Sequence, residues 1–207
     1  MTDSIYDQLN AYGTVAKQRF VENFSGDALD TDRWTVFNLQ GTGSTTMGDS
    51  VNGGFTVTSG TNENDSTGIN FNNIRQYSNN ASVFIGVMKR DTSNAFVFCG
   101  FQETTALTGV SFSQAINDTS TTKIGIQTND GTNGGTYVAS TINNDSSRHN
   151  YKIELGGSNN ILFLDGILNS TATSDLPTSK LQPFFREGTK TTAAKTSSIL
   201  YMEAYNT

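Results

Sequence analysis

Three apolar runs in the middle of the chain determine the fold class: SVFIGVMKR at residues 82–90, AFVFCGFQ at 95–102 and VSFSQAIN at 110–117. Turn-forming residues such as Gly, Asn, Ser and Asp separate the runs along the chain, as expected of short strands joined by loops. Strands that are apolar on one or both faces fit the centre of a β-sandwich, where a second sheet covers them. The three runs therefore predict central strands of a sandwich.

The same pattern of short apolar runs separated by turn-forming residues extends in both directions along the chain. The pair Asp165-Gly166 lies between two apolar runs and is a strong hairpin signal, because both central residues of such a turn need positive φ. Short strands that recur every 8–12 residues or so are typical of sandwiches and barrels. Further strands are predicted over residues 19–23, 34–39, 54–59, 68–71, 123–127, 136–142, 149–155, 160–165, 167–171, 182–187 and 198–206.

The composition excludes several classes of protein. The 207 residues include 13 basic and 19 acidic side chains, so the net charge is −6, and only 15% of residues are charged. A protein that binds nucleic acid through its phosphates should be basic, so we expect no nucleic-acid partner. The aromatic content of 10% argues against disorder. Since no apolar run reaches the roughly 20 residues of a membrane helix, we expect no membrane insertion.

The first 18 residues differ from the rest, because apolar side chains recur at helical spacing at Ile5, Leu9, Tyr12 and Val15. A helix this short is marginal alone in water, so it must pack on something. Three alternatives are open: a helix on its own sandwich, an arm that docks on a partner, and a frayed tail. We therefore divide the chain into an arm or helix over 1–18 and a β-sandwich over 19–207.

Three segments together resemble the concanavalin A-like lectin/glucanase superfamily. The first is FVENFSGDALD at 20–30 with Trp34, the second runs from His149 to the turn at Gly166, and the third joins LQPFF at 181–185 to the last strand. The resemblance implies an all-β fold of two antiparallel sheets packed face to face in a jelly roll, with one sheet curved. It also implies that the last strand pairs beside the first.

Glucanases of that superfamily use a Glu-x-Asp-x(-x)-Glu run on a central strand, where alternate carboxylates share one cleft as nucleophile, helper and acid. In this chain the runs at 82–90 and 95–103 hold one carboxylate, Glu103. A second match, Glu63-Asn64-Asp65, lies in a polar loop and no third acid follows it. We therefore expect no enzyme activity and no catalytic residue.

The sequence offers few other residues that could take part in catalysis or metal binding. Cys99 lies in an apolar run and is predicted to be a buried, inert thiol. His149 is predicted to be an exposed residue at the start of a strand, although a Ser–His–acid arrangement around it stays open. The stretch from Asn129 to Gly135 resembles part of a calcium loop but lacks its terminal Glu. We expect no cofactor and no metal, with calcium held by scattered Asp and Asn oxygens as the alternative.

Polar side chains on the central strands are the candidate ligand-binding residues: Arg90, Gln102, Glu103 and Gln114. At a concave face they could form hydrogen bonds with sugar hydroxyls; the alternative is an ordinary solvated sheet face. Phe184 and Phe185 are adjacent in a strand, so one of the two rings is predicted to point outward.

These features predict a virion surface protein, a head decoration or fibre subunit of a phage. The start of the chain has neither the basic segment nor the apolar core of a signal peptide, which indicates synthesis in the host cytoplasm. Residues 183–185 with 193–196 resemble closing segments of phage particle proteins. The arm would dock on a capsid or tail protein, copies would form a homo-oligomer such as a trimer, and the sandwich would bind host glycans weakly. The alternative is a cellular lectin or a catalytically degenerate glucanase-like module.

Overall fold

The computed structural model describes residues 19–48, 54–91, 93–106, 108–132 and 135–207, and these residues form strands, turns and loops without a helix. The predicted arm or helix over residues 1–18, with its four apolar side chains, lies outside the described residues. Within the described ranges, no helix is long and apolar enough to cross a membrane.

The described chain forms fifteen strands: β1 (Arg19–Glu22), β2 (Thr35–Gln40), β3 (Ser44–Met47), β4 (Phe55–Thr58), β5 (Ser66–Asn70), β6 (Ala81–Lys89), β7 (Ala95–Gln102), β8 (Ser111–Asp118), β9 (Lys123–Asp130), β10 (Thr136–Asn143), β11 (Arg148–Gly156), β12 (Asn160–Leu164), β13 (Ile167–Ala172), β14 (Gln182–Thr189) and β15 (Thr196–Asn206).

The strands pair into two antiparallel sheets, which confirms the predicted all-β sandwich. Sheet I has eight strands in the order β13-β12-β11-β6-β15-β4-β3, with β1 also paired to β15. Sheet II has seven strands in the order β10-β9-β8-β7-β14-β5-β2. The last strand lies beside the first, as predicted, with Arg19 opposite Tyr205.

One strand, β3, was not predicted. Its sequence STTM has no apolar alternation, and it lies at the edge of sheet I, where it pairs only with β4 among the described strands. Since an edge strand buries little on either face, its sequence needs no strand pattern.

An aromatic cluster fills one end of the space between the sheets. The Trp34 indole is fully buried and makes edge contacts with Phe20 and Phe71 at ring-centroid distances of 5.6 and 5.4 Å. Its Nε1 donates to Glu22 Oε2 at 3.2 Å, which satisfies the indole N–H, a group that usually finds a partner when buried. The Trp34 segment singled out in the sequence thus anchors the start of the sandwich.

Two sequence predictions about exposure are wrong. Phe184 and Phe185 are both buried: Phe185 joins the core between the sheets, and Phe184, which alternation puts on the opposite face of β14, is only 1% exposed. His149 is also buried. Its two ring nitrogens form hydrogen bonds with Asp145 and Asp165, which offset the cost of burying the imidazole. By contrast, Cys99 is buried as predicted, and burial raises the pKa of its thiol well above the usual range.

Candidate functional site

A cleft of about 460 Å³ opens on the outer face of sheet II, the face turned away from sheet I. Side chains along β7 point alternately to the two faces of sheet II. Val97, Cys99 and Phe101 join the core, whereas Phe98 and Gln102 face the cleft. Its volume lies in the range of small-molecule sites in proteins. Its described lining residues are Phe98, Gln102, Ala106, Thr108, Gly109, Val110, Phe112, Gln114, Gln127, Asn129, Thr132 and Arg186.

Cross-strand register places the polar side chains of the floor in two rows. Gln102 of β7 is opposite Phe112 of β8, which in turn is opposite Asn129 of β9. In the next row Gln114 is opposite Gln127. Residues directly opposite each other have neighbouring side chains, so Gln114 and Gln127 form an adjacent amide pair, whereas Phe112 separates Gln102 from Asn129 in the other row.

One hydrogen bond organises the second row of the floor. Gln114 Nε2 donates to Gln127 Oε1 at 2.8 Å. An amide side chain can donate two hydrogen bonds and accept two. Within the described residues, the Gln114 carbonyl oxygen and the Gln127 amino group have no other partner, so both are available to a ligand.

Aromatic rings form the other part of the lining. Phe98 and Phe112 are partly exposed, whereas most of the aromatic side chains of sheet II are buried. Phe98 also stacks on Phe96, with ring centroids 5.0 Å apart and an angle of 27° between the planes. The Phe96 ring in turn covers Gly188, where a Cβ would come within 2.0 Å of the ring. The absence of a side chain at Gly188 is therefore what lets the ring lie flat against the sheet.

Arg186 of β14 is the one ionisable side chain among the described lining residues. Its guanidinium carbon lies 4.6 Å from the centroid of the Phe98 ring and 5.7 Å from that of Phe96. No described residue accepts a hydrogen bond from it, and Nε is buried without a partner. Burial lowers the pKa of Arg186 to about 10, so the side chain is still a cation at neutral pH.

The structure brings together two of the four predicted ligand-binding residues. Gln102 and Gln114 both line the cleft. The Glu103 carboxylate lies outside the lining and pairs with the Arg75 guanidinium at 3.1 Å. Arg90 lies elsewhere: it is buried, and Nε donates to Asn117 Oδ1 at 2.9 Å and to the Asp145 carbonyl at 3.2 Å.

Sequence reasoning missed Arg186 and the aromatic lining as functional candidates. The signal for the rings is strand alternation, which puts Phe98 on the same face as Gln102, and Phe112 on the same face as Gln114. Arg186 gave a weaker signal, a lone cation in the aromatic run PFFRE. Nothing in the sequence shows that β14 pairs with β7, and that pairing is what puts Arg186 opposite Phe98.

Metal ligands are not clustered in the part of the chain that the structure describes. No group of three or more His, Cys, Asp or Glu side chains there could hold a metal ion. In the stretch that resembles a calcium loop, Asn129 Oδ1 accepts from the Gly131 amide, and Asp130 Oδ1 accepts from the Thr132 amide, both at 2.8 Å. These oxygens therefore stabilise the turn after β9.

Two buried carboxylates outside the cleft lining, Asp65 and Asp118, already have partners. The Asp65 carboxylate is buried in the loop before β5, where Oδ2 accepts from the Asn62 amide at 2.9 Å. On the outer face of sheet II, Asp118 forms an ion pair with Lys190 at 3.2 Å. No described residue that lines the cleft is an Asp, Glu or His.

No protein-family model matches the sequence, and no curated protein matches it either. Solved structures do share its architecture. Apo Crh5 transglycosylase superposes with a TM-score of 0.61 at 16% identity, over 91% of this chain and 84% of the other. A prokaryotic β-1,3-1,4-glucanase (lichenase) derived from a mouse hindgut metagenome gives 0.64 at 15% identity, over 91% and 98%. The carbohydrate recognition domain of Emp47p gives 0.63 at 8% identity, over 90% and 94%.

At identities this low, structural likeness establishes the fold alone. The chain has the concanavalin A-like jelly roll, a fold that glucanases, transglycosylases and carbohydrate-binding lectin domains share. The resemblance seen in the sequence is therefore confirmed at the level of the fold.

Proposed function

We propose that the chain is a non-enzymatic protein that binds saccharides in the cleft on sheet II. The observation that carries this proposal is the combination of Gln102, Gln114 and Gln127 with the partly exposed rings of Phe98 and Phe112 in one cleft. The fold supports it, because relatives in architecture include a carbohydrate recognition domain and glucan-acting enzymes.

The lining matches the chemistry of a sugar. Each sugar hydroxyl both donates and accepts hydrogen bonds, and an amide side chain offers both partners from one group. The C–H face of a pyranose is apolar and packs on an aromatic ring, whose buried area supplies most of the contact energy. The unpartnered Gln114 carbonyl and Gln127 amino group are the groups that we expect to meet sugar hydroxyls.

A binding role without hydrolysis follows from the side chains that the cleft offers. Retaining glycosidases hold two carboxyl groups about 5–5.5 Å apart, and inverting ones hold them about 6.5–9.5 Å apart. Gln114 lies in the middle of the floor, and the described lining carries no carboxylate. We therefore expect no release of reducing ends from β-glucans; release that is lost in Glu103→Gln would show a hydrolase instead.

A glycan array with the full-length chain tests the binding proposal. We expect a defined set of glycans to bind, and the affinity to fall about tenfold in Gln114→Ala, since one or two hydrogen bonds to the sugar are lost. Gln102→Ala should also lower the affinity for these glycans. Gln40→Ala on the exposed edge strand β2 is the matched control and should bind as the wild type does. Failure to bind any glycan would overturn the proposal.

The setting that we propose for this activity is the surface of a phage particle. Its support comes from the sequence: the helical spacing within residues 1–18, the low charge of the chain and the closing segments at 183–185 and 193–196. Deletion of residues 1–18 should abolish incorporation into particles while leaving glycan binding intact. Unchanged incorporation would remove the arm from the proposal, and light scattering on the purified chain would show whether it is a trimer.

The alternative is a cellular lectin or a degenerate glucanase-like module, and its support is the fold shared with a glucanase and a carbohydrate recognition domain. Both alternatives use the same cleft. Reading frames for capsid, portal or tail proteins beside the coding sequence would favour the virion setting, and their absence would favour the cellular one.

A further inference from the structure

We propose that the cleft prefers saccharides that carry an anionic group, a carboxylate or a sulfate, and that Arg186 is the residue that recognises that group. This inference rests on the proposed function, because it names the class of saccharide that the same cleft takes.

The first argument is the position of Arg186 in the sheet. It lies in the middle of β14, opposite Phe98 on β7 and opposite Gly68 on β5. On the β5 flank the Phe37 ring occupies the space beside Gly68, where a Cβ would come within 2.8 Å of that ring and 3.0 Å of the Arg186 Cα. On the β7 flank the guanidinium lies over the Phe98 ring at the wall of the cleft.

The second argument is the lack of an internal counter-charge. A guanidinium has five N–H donors and no acceptor, and a buried donor without a partner costs free energy. None of the described residues accepts from Arg186. Two carboxylates on or next to strands of sheet II already have cationic partners, Asp118 with Lys190 and Glu103 with Arg75. A ligand oxygen is the missing partner.

The third argument concerns geometry. A guanidinium is planar and offers parallel N–H groups along its edge, which match the two oxygens of a carboxylate or sulfate. When an aromatic ring holds its flat face, as Phe98 does here, that edge stays in one orientation. Only part of the Arg186 side chain is exposed, so less water has to leave it on binding than from a fully exposed arginine.

The net charge of −6 does not oppose this preference. Exposed charges farther apart than about 8 Å are largely screened at physiological salt, whereas a contact pair in a cleft is screened much less. The local charge of the cleft lining is positive, since Arg186 is its only described ionisable group. Local charge, not net charge, therefore decides which ligand is favoured.

The test measures dissociation constants of the full-length chain for three probes of equal length: an oligogalacturonate, a sulfated galactose oligosaccharide and a neutral galactose oligosaccharide. The readout is the ratio of anionic to neutral affinity. We expect a ratio of about ten or more, since a charge-assisted hydrogen bond is stronger than a neutral one. The two anionic probes distinguish a carboxylate site from a sulfate site.

Two variants report on Arg186 itself. Arg186→Gln should bring the ratio close to one, and Arg186→Lys should lower it by a smaller factor, since lysine keeps the charge but loses the planar fork. If Arg186→Gln does not fold, Arg186→Lys and the salt dependence of the wild-type ratio, which should fall as salt rises, provide the test. Arg148→Gln, at an exposed position on sheet I, is the matched control and should leave the ratio unchanged.

The outcomes separate this inference from the proposed function. Binding of the neutral and anionic probes with equal affinity, or an unchanged ratio in folded Arg186 variants, would overturn the inference and leave saccharide binding in place. Failure of every glycan to bind would instead overturn the proposed function.

Discussion

His149 is held between two carboxylates at the point where β11 begins. Nδ1 lies 2.7 Å from Asp165 Oδ2, and Nε2 lies 3.0 Å from Asp145 Oδ1. Burial by itself lowers the pKa of the imidazole, but the hydrogen bonds and negative charges of the two aspartates outweigh it and raise the pKa of His149 above 6.5. The imidazole therefore keeps its proton to a higher pH than an unperturbed histidine does, and in the protonated form both ring nitrogens donate to the aspartates.

This arrangement predicts a pH-dependent stability. A histidine whose pKa is raised on folding stabilises the protein fully below its unfolded-state pKa of 6.5, and that stabilisation is lost as pH rises through the folded-state value. The His149→Gln variant should therefore lose about 1 kcal/mol of unfolding free energy near pH 6, because the aspartates are half exposed and their pairs are screened. Near pH 9 the loss should be smaller. Urea unfolding of both proteins at the two pH values measures this, and an equal loss at both would contradict it.

Glu187 is a buried carboxyl whose charged form is disfavoured by its surroundings. It is fully buried between the sheets; Oε2 accepts a hydrogen bond from Ser197 Oγ, and Oε1 has no partner among the described residues. Burial raises the pKa of Glu187 well above its usual range, against the effect of the Ser197 hydrogen bond. The folded protein therefore favours the neutral form of this carboxyl up to a higher pH than the unfolded chain does.

Replacement by the amide should stabilise the protein at high pH. An acid whose pKa is raised on folding contributes stability that falls as pH rises above its unfolded-state pKa of about 4.5. Glu187→Gln should thus raise the unfolding free energy by on the order of 1 kcal/mol or more near pH 8, and by less near pH 4. Chemical denaturation at both pH values tests this, with the exposed Glu63→Gln as control. A gain that does not grow with pH would contradict the neutral form.

At the scale of elements, the hairpin between β12 and β13 depends on backbone conformation. Asp165 and Gly166 have φ of +51 and +82°, as the Asp-Gly pair predicted. A Cβ at Gly166 would meet no atom within 4 Å, so any cost of a side chain there comes from the backbone alone.

A pair of glycine variants isolates that cost. Gly166→Ala should destabilise the protein by about 1 kcal/mol or more, because a side chain disfavours positive φ. Gly157 has equally open surroundings without a positive φ, so Gly157→Ala should change stability little. Thermal or urea unfolding of the two variants provides the comparison, and equal effects would show that φ at Gly166 is not the cause.

The sequence could predict features that depend on residues close together in the chain, but not those that depend on long-range contacts. Apolar alternation located β6, β7 and β8, and the Asp-Gly turn located the β12–β13 hairpin, because both signals are local. Alternation also groups Gln102 with Phe98 and Gln114 with Phe112, although it does not show which face of the sheet is turned outward. The position of Arg90 depends on Asn117 and Asp145, which only the tertiary structure brings to it. Likewise, the burial of His149 depends on Asp165, sixteen residues later in the chain.

At the scale of the whole molecule, the same two-sheet architecture serves hydrolases and carbohydrate-binding domains. What distinguishes this chain is the lining of one face of sheet II, where amides, two partly exposed rings and one unpaired cation stand together. The low content of charged residues, 15%, is thus consistent with a cleft whose described lining has no acid and a single base. Function is therefore argued from that lining, and the fold supplies only its position.

The most direct test of this account is a crystal structure of the full-length chain with an oligosaccharide taken from the array. The account predicts a sugar ring against Phe98 or Phe112, with hydroxyls within hydrogen-bond distance of Gln114 and Gln127. A saccharide bound at any other surface, with the cleft on sheet II empty, would contradict it.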